Sequence, residues 1–252
     1  MLFSTRIAAI FFAVALLGWG IIHFIIGDFA AGRAPAWPEG VPGKIAWAYI
    51  SGITLIVAAV SIFTNQTSLA FAKRYGGQRL AVTCAGVMIL LWAGSRNLVI
   101  VLSTLDYGGQ MTNTGKSLTI GFGALAVVAA FPMAVRLASI FTGLFFIASG
   151  IQHFIFIQFV KTLVPSWIPG AEFWSYLAGV ALIASGIALI TGIQRKLAAL
   201  LSSWMVFIWF VILHVPRGFG ATANTNEWIA IFEALSVSAI LAVIYHTSSR
   251  SS

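Results

Sequence analysis

Charge is what this chain has least of: 8% of its 252 residues are Asp, Glu, Lys or Arg, and only 6 are acidic. With 60% hydrophobic residues and a mean hydropathy of +0.99, it lacks the polar residues needed to cover a soluble domain. Cysteine is nearly absent as well. Cys84 stands alone inside an apolar run, which excludes an intrachain disulfide, a Cys-x-x-Cys redox pair and a Cys-x-x-Cys-His haem attachment. No glycine-rich nucleotide loop is present, and no two metal-ligand residues share a helix at ligating spacing.

What the chain does have is apolar runs of about 20 residues, the length that crosses a hydrocarbon core. They can be drawn at 7–27, 44–63, 80–104, 117–135, 137–158, 172–193, 197–215 and 227–247. The expected fold is therefore all-α and polytopic, with eight transmembrane helices and the lipid bilayer as its surroundings. The first run, after Arg6, has the look of a signal peptide with small residues at Ala30 and Ala31. Its mid-chain counterpart around His153 argues that it is a permanent helix.

That counterpart belongs to an internal repeat. Gly20-Ile21-x-His23-Phe24-x4-Phe29-x5-Pro35-x-Trp37 returns 130 positions later as Gly150-Ile151-x-His153-Phe154-x4-Phe159-x5-Pro165-x-Trp167. Trp47-x-Tyr49-x-x-Gly52 returns 127 positions later as Trp174-x-Tyr176-x-x-Gly179. Matches of His, Pro and Trp in register point to a head-to-tail duplication, with units at 1–135 and 136–252, each expected to be a four-helix bundle. Further along, Trp92 aligns with Trp209 at a spacing of 117, which sets Asn97 opposite His214, and Asn113-Thr114 aligns with Asn224-Thr225 at 111, which sets Phe122 opposite Glu233.

The net charge of +8 reads as topology, not as a nucleic-acid surface. Arg6, Lys73, Arg74, Arg79, Arg136, Arg195, Lys196 and Arg250 all fall at one set of helix ends, with no carboxylate among them. The positive-inside rule makes that side cytoplasmic, with both termini inside, as expected for a bacterial-type inner (plasma) membrane protein. The other ends mix Arg33, Lys44, Arg96, Lys116, Lys161 and Arg217 with Asp28, Glu39, Asp106, Glu172 and Glu227. An even number of crossings per unit makes the repeats parallel.

On this topology the His-Phe words lie near the outer ends of the first and fifth helices, followed by Pro and Trp loops. Proline cannot continue a helix and Trp favours the interface, so each loop is either a rigid anchored turn or a lid folded back over the bundle. The second unit carries the denser polar set. His153, His214 and Glu233 come from three helices, all in the outer half of the membrane, and a bundle core can bring them together. An ionised Glu233 facing lipid is costly, so it should face inward and be protonated or pair with His214, Arg217 or a ligand. The expected working residues are Glu233, His153 and His214, with Gln152, Trp167, Arg217 and Pro165 as ligand contacts and His23 as the first-unit counterpart, with Arg96 and Asp28 beside it.

The word His-Phe-x4-Phe-x5-Pro-x-Trp-x-Pro, the Tyr-x-x-Gly helix start and Asn-Thr-Asn-Glu-Trp-x3-Phe-Glu-Ala-Leu opening the last helix resemble the DoxX-like family of small four-helix membrane proteins. Residues 145–242 carry the resemblance. Residues 18–130 carry a weakened form of it, with the second loop proline displaced and the Phe-Glu-Ala-Leu word missing. The resemblance implies a fused pair of units, in a family that includes a membrane subunit associated with thiosulfate:quinone oxidoreduction, redox-stress partners and proteins of assembly or trafficking.

Three function classes follow. The first is a redox-associated membrane protein holding a quinone or other apolar small molecule, with His153 and His214 donating to its oxygens and Glu233 moving the proton. The second is a non-catalytic accessory subunit with a membrane or redox protein partner, and the third a carrier for a small hydrophobic solute. A haem between His153 and His214, or a metal on two histidines and a carboxylate, ranks below a quinone.

Overall fold

The computed structural model describes residues 4–30, 37–66, 77–105, 107–129, 131 and 133–248; Arg33, Pro35, Lys73, Arg74, Asp106 and Arg250 lie outside these. Every regular element among the described residues is helical. In chain order the long helices are α1 (Thr5–Ile26), α2 (Lys44–Gln66), α3 (Gly77–Thr104), α4 (Gly109–Val127), α5 (Ala134–Ile155), α6 (Ala171–Thr191), α7 (Arg195–Gly220) and α8 (Thr225–Ser248). All but α4 are long and apolar enough to cross a membrane, 7 in total among the described residues. This is an all-helical protein with the build of an integral membrane protein.

The fourth helix departs most from expectation. The hydropathy pattern places it at 117–135, whereas it runs over Gly109–Val127, about two turns earlier. Its first half holds Gln110, Thr112, Thr114, Lys116 and Ser117, which an apolar window rejects. Thr114 and Ser117 are buried and their hydroxyls donate to the Gln110 and Asn113 carbonyls of the same helix, so this polarity does not face lipid. Lys116, expected at a helix end, sits seven residues inside α4, about 10 Å along its axis.

Each helix packs on its chain neighbours, from α1 against α2 through to α7 against α8, and α8 closes the circuit against α1. A further contact joins α4 to α8 across the middle. The last helix of each half therefore lies against the first helix of the other: α4 packs on α5, and α8 packs on α1. The change of sequence unit at 135/136 is not a gap in the packing. One apolar core runs through both halves, including Phe12, Leu16 and Trp19 of α1, Ile120 of α4, Phe146 of α5 and Ile240 and Leu241 of α8. The α8 helix is correspondingly buried over most of its length, while α7 is mostly outward-facing.

Glycine sets the tightest crossings. A Cβ on Gly20 of α1 would stand 2.6 Å from Ile56 Cγ1 and 3.0 Å from the Gly52 carbonyl of α2. A Cβ on Gly150 of α5 would stand 2.6 Å from Ile183 Cγ1 and 2.7 Å from the Gly179 carbonyl of α6. Small residues let the backbones touch where apolar surroundings provide no hydrophobic drive for association. They also bring His23 and His153 against α2 and α6, since the Cβ atoms of these histidines are among the first atoms a side chain on Gly52 or Gly179 would meet.

Two helices are interrupted by a single π-helical turn, Ala93–Asn97 in α3 and Phe210–His214 in α7. In α7 the turn is followed by Pro216 in the first turn of the next helical piece. Proline lacks an N–H and crowds the preceding turn, and a local widening accommodates it.

Candidate functional site

The polar groups of α4, α7 and α8 meet at one end of the molecule. Lys116 Nζ donates to Glu233 Oε2 at 2.7 Å, and both reach this depth because α4 and α8 start from the same end and run in the same direction. The Glu233 side chain is 4% exposed and that of Lys116 21%. An ionised carboxylate at such a position requires an opposite charge or neutralisation, and Lys116 supplies the charge. The expectation that Glu233 pairs with His214 or Arg217 is thus corrected. Arg217 forks onto Glu227, with Nε to Oε2 at 3.0 Å and Nη2 to Oε1 at 2.7 Å. Lys116 was hidden from sequence reasoning because it lies in the other half, 117 residues from Glu233.

His214 closes the π-helical turn of α7, within electrostatic reach of Lys116, Glu233, Arg217 and Glu227. Its Nδ1 is buried and has no hydrogen-bond partner. Gln110 Oε1 of α4 is buried and unpartnered in the same way. The two ion pairs thus bring two positive and two negative side chains around an imidazole that still has hydrogen-bonding capacity. Buried polar groups are normally satisfied, so an orphan next to a buried ion pair marks a place where a polar ligand atom or water would complete the hydrogen bonding.

His153 lies near the end of α5. Its Nδ1 donates to the Ser149 carbonyl at 2.7 Å, which fixes the orientation of the ring and leaves Nε2 at its other edge. The ring stands 6.5 Å from that of Trp209, tilted by 22°, one residue before the π-helical turn that carries His214. Gln152 is committed to α4 and the segment before it: Nε2 donates to the Tyr107 and Gly108 carbonyls and Oε1 accepts from Thr112 Oγ1 at 2.8 Å. It therefore acts as a tie between the halves. Pro165 is half-buried and its carbonyl accepts from Ile168 N, as in a tight turn. Trp167 is 71% exposed and projects away from the bundle.

The first half assembles a different structure from the same words. His23 is 1% exposed. Its Nδ1 donates to the Trp19 carbonyl at 2.7 Å, and its Nε2 accepts from Ala30 N at 3.3 Å, so both ring nitrogens are used. Asp28 pairs with Lys44 at 2.6 Å and accepts from Phe29 N. Arg96 lies beneath aromatic rings, its Cζ 4.7 Å from the Phe29 centroid and 5.2 Å from that of Trp37. Phe29 and Trp37 stack at 5.6 Å, Trp92 meets both edge-on at 4.9 and 6.0 Å, and its Nε1 donates to Ser51 Oγ. Phe29, Trp37 and Trp92 were visible in the sequence. Their convergence on Arg96 was not, because the π-helical turn decides which way Arg96 faces.

Among the described residues no three His, Cys, Asp or Glu lie close enough to hold a metal ion. His153, His214 and Glu233 share one end of the structure but make no direct hydrogen bond to one another. Residues 142–230 match the model of a family described as a domain of unknown function (DUF8561). That stretch contains Gln152, His153, Pro165, Trp167, His214, Arg217 and Glu227 and stops short of Glu233. No curated protein and no solved structure matches the chain.

Proposed function

We propose that the chain is a pair of fused DoxX-like units with eight membrane crossings, which holds a quinone or another apolar small molecule in its second half. Support for the duplication comes from the two π-helical turns, whose residues stand 117 positions apart in the register that aligns Trp92 with Trp209. The matched Gly20–Gly52 and Gly150–Gly179 crossings support it too. So do the Phe24–Tyr49 and Phe154–Tyr176 ring contacts, at 4.9 and 5.4 Å. In this reading α4 is a span whose polar face is covered by α5 and α8, so its composition need not satisfy lipid.

The observation that carries the ligand-binding reading is the buried, unpartnered Nδ1 of His214 beside the Lys116–Glu233 pair. A quinone carbonyl is an acceptor with an apolar ring behind it, and His214 Nδ1–H and Lys116 are donors at that position. Glu233 takes or gives the proton, with Lys116 holding its charge until it does. His153 Nε2 and Trp209 flank the same helix turn as a second contact and an apolar wall. In membrane orientation the site lies toward the outer face, and both termini lie on the cytoplasmic side of a plasma membrane.

The test is extraction of protein purified in mild detergent, with quinones assayed by chromatography and a visible spectrum recorded. A quinone at near one per chain, lost in His214→Asn, is the expected result. Protein with no extractable quinone that also fails to bind added quinone sinks the reading. The carrier reading has one observation of its own: the hydroxyls of Thr119, Thr142 and Ser202 are buried without partners further along the bundle. A polar path continuing past Glu233 would use them, and solute uptake into proteoliposomes separates the two readings.

A further inference from the structure

Among the described residues Asp28, Glu39, Glu172 and Glu227 belong to segments at one end of the bundle, and Glu233 to the half nearest that end. The opposite end, where α1, α3, α5 and α7 begin, carries Arg6, Arg79, Arg136, Arg195 and Lys196. Arg136 in the first turn of α5 and Arg195 at the start of α7 stand close enough to repel each other. Each is half-buried, and each has a buried guanidinium nitrogen without a hydrogen-bond partner, Nη1 of Arg136 and Nε of Arg195. Two like charges with orphaned donors within electrostatic reach of each other are unfavourable unless an anion offsets them.

The backbone is shaped around this pair. Gly192 ends α6 with φ +89°, and a Cβ there would stand 2.7 Å from Arg195 Nη2. The left-handed turn favours glycine for its conformation, and the missing side chain lets the guanidinium rest on bare main chain.

The first half has a counterpart. Arg6 stands 130 positions before Arg136, the spacing of the His-Phe register. The ends of α1, α2, α3 and α4 enclose an open cavity of about 380 Å³, whose polar lining is Thr5, Arg6, Asn65, Gln78 and Arg79. Two guanidinium groups, two amide side chains and a hydroxyl form a donor-rich surface without a carboxylate.

We propose that this end of the protein binds phosphate-class anions at two places, one between Arg136 and Arg195 and one in the cavity of Arg6 and Arg79. Planar guanidinium forks match two phosphate oxygens at once, which lysine does not. In a protein that spans a bilayer, these helix ends stand at headgroup depth, where basic pockets between helices take anionic lipid headgroups. A free phosphate ion has the same chemistry.

The experiment uses the full chain in mild detergent, with phosphatidylglycerol, phosphatidylcholine and inorganic phosphate as separate probes, read by native mass spectrometry and by melting temperature. Phosphatidylglycerol should be retained about ten-fold more than phosphatidylcholine, at two molecules per chain. Arg136→Gln with Arg195→Gln should lose one of the two, and Lys161→Gln at the opposite end should lose none. If inorganic phosphate raises the melting temperature while phosphatidylglycerol is not preferred, and the double variant loses that rise, the ligand is a soluble phosphate and the site stands. Equal retention of the two lipids with no effect of phosphate overturns the proposal, as does a double variant that keeps the full complement. Because losing two charges can disturb insertion, Arg136→Lys with Arg195→Lys is the second variant. It keeps the charge and removes the fork, and retention equal to the unmodified protein would also overturn the proposal.

Discussion

The regions around His23 and His153 start from the same sequence word and end in opposite states. Around His23 both ring nitrogens are occupied, Trp37 stacks on Phe29 over Arg96, and Asp28 is tied to Lys44, although Trp19 Nε1 is buried without a hydrogen-bond partner. Around His153 one ring nitrogen is used, and Trp167, the partner of Trp37 in the repeat, is 71% exposed. Where the first half has Asn97, buried at 1% exposure, the second has His214 with an orphaned nitrogen. A histidine with both ring nitrogens satisfied stabilises, whereas one with an unused nitrogen beside a buried ion pair is available to a ligand. This contrast, and not the count of polar residues, favours the second half as the binding half.

The comparison breaks first at the Lys116–Glu233 pair. Replacing Glu233 by Leu strands a partly buried lysine, and the expected loss is about 3–5 kcal/mol of stability, read by thermal or denaturant unfolding in detergent. Adding Lys116→Met should restore most of the stability, because two apolar side chains tolerate the site better than one unpaired charge. Ligand-coupled proton uptake should stay absent in the double variant. A Glu233→Leu protein as stable as the unmodified one would mean that the pair contributes nothing to the contact between α4 and α8.

Next in size are the aromatic loops. Trp37→Ala removes a ring stacked on Phe29 and Arg96 and should cost about 2–3 kcal/mol, while Trp167→Ala should fall within about 0.5 kcal/mol of the unmodified protein. Equal losses would show that the second loop also folds over its half.

The two histidines sharpen the contrast further. His23→Ala should cost about 1–3 kcal/mol, since it leaves the Ala30 N–H and the Trp19 carbonyl without their partner, and should leave ligand retention unchanged. His153→Ala should destabilise less and weaken retention more. A His23→Ala protein that loses ligand while holding its melting temperature would move the site to the first half.

The smallest expected change in stability is at His214. His214→Asn places there the residue found at Asn97. Because Nδ1 has no partner to lose, the melting temperature should stay level or rise. Quinone affinity should fall about ten-fold, the worth of one hydrogen bond of about 1.4 kcal/mol. A lower melting temperature with unchanged affinity would make His214 a packing residue only.

The sequence by itself determined that the chain is helical and built for a membrane, and it placed seven of the helices to within a few residues, because an apolar run of spanning length is a local property. The fourth helix escaped for a physical reason. Its first half is polar toward other helices, and hydropathy registers polarity without registering which way it faces. Glu233 was readable as an inward-facing acid, since lipid leaves an ionised carboxylate nowhere else to go. Its partner was not readable. Lys116 looked like an interfacial lysine, and only the contact of α4 with α8 turned it inward. Arg217 likewise goes to Glu227, one fork at the start of α8, instead of to Glu233 two turns deeper. Which histidine is locked and which is left open was decided in the same way, by whether a loop amide or a tryptophan returns to cover it. Pairing depends on which helices become neighbours, and that is settled by the packing of the whole chain.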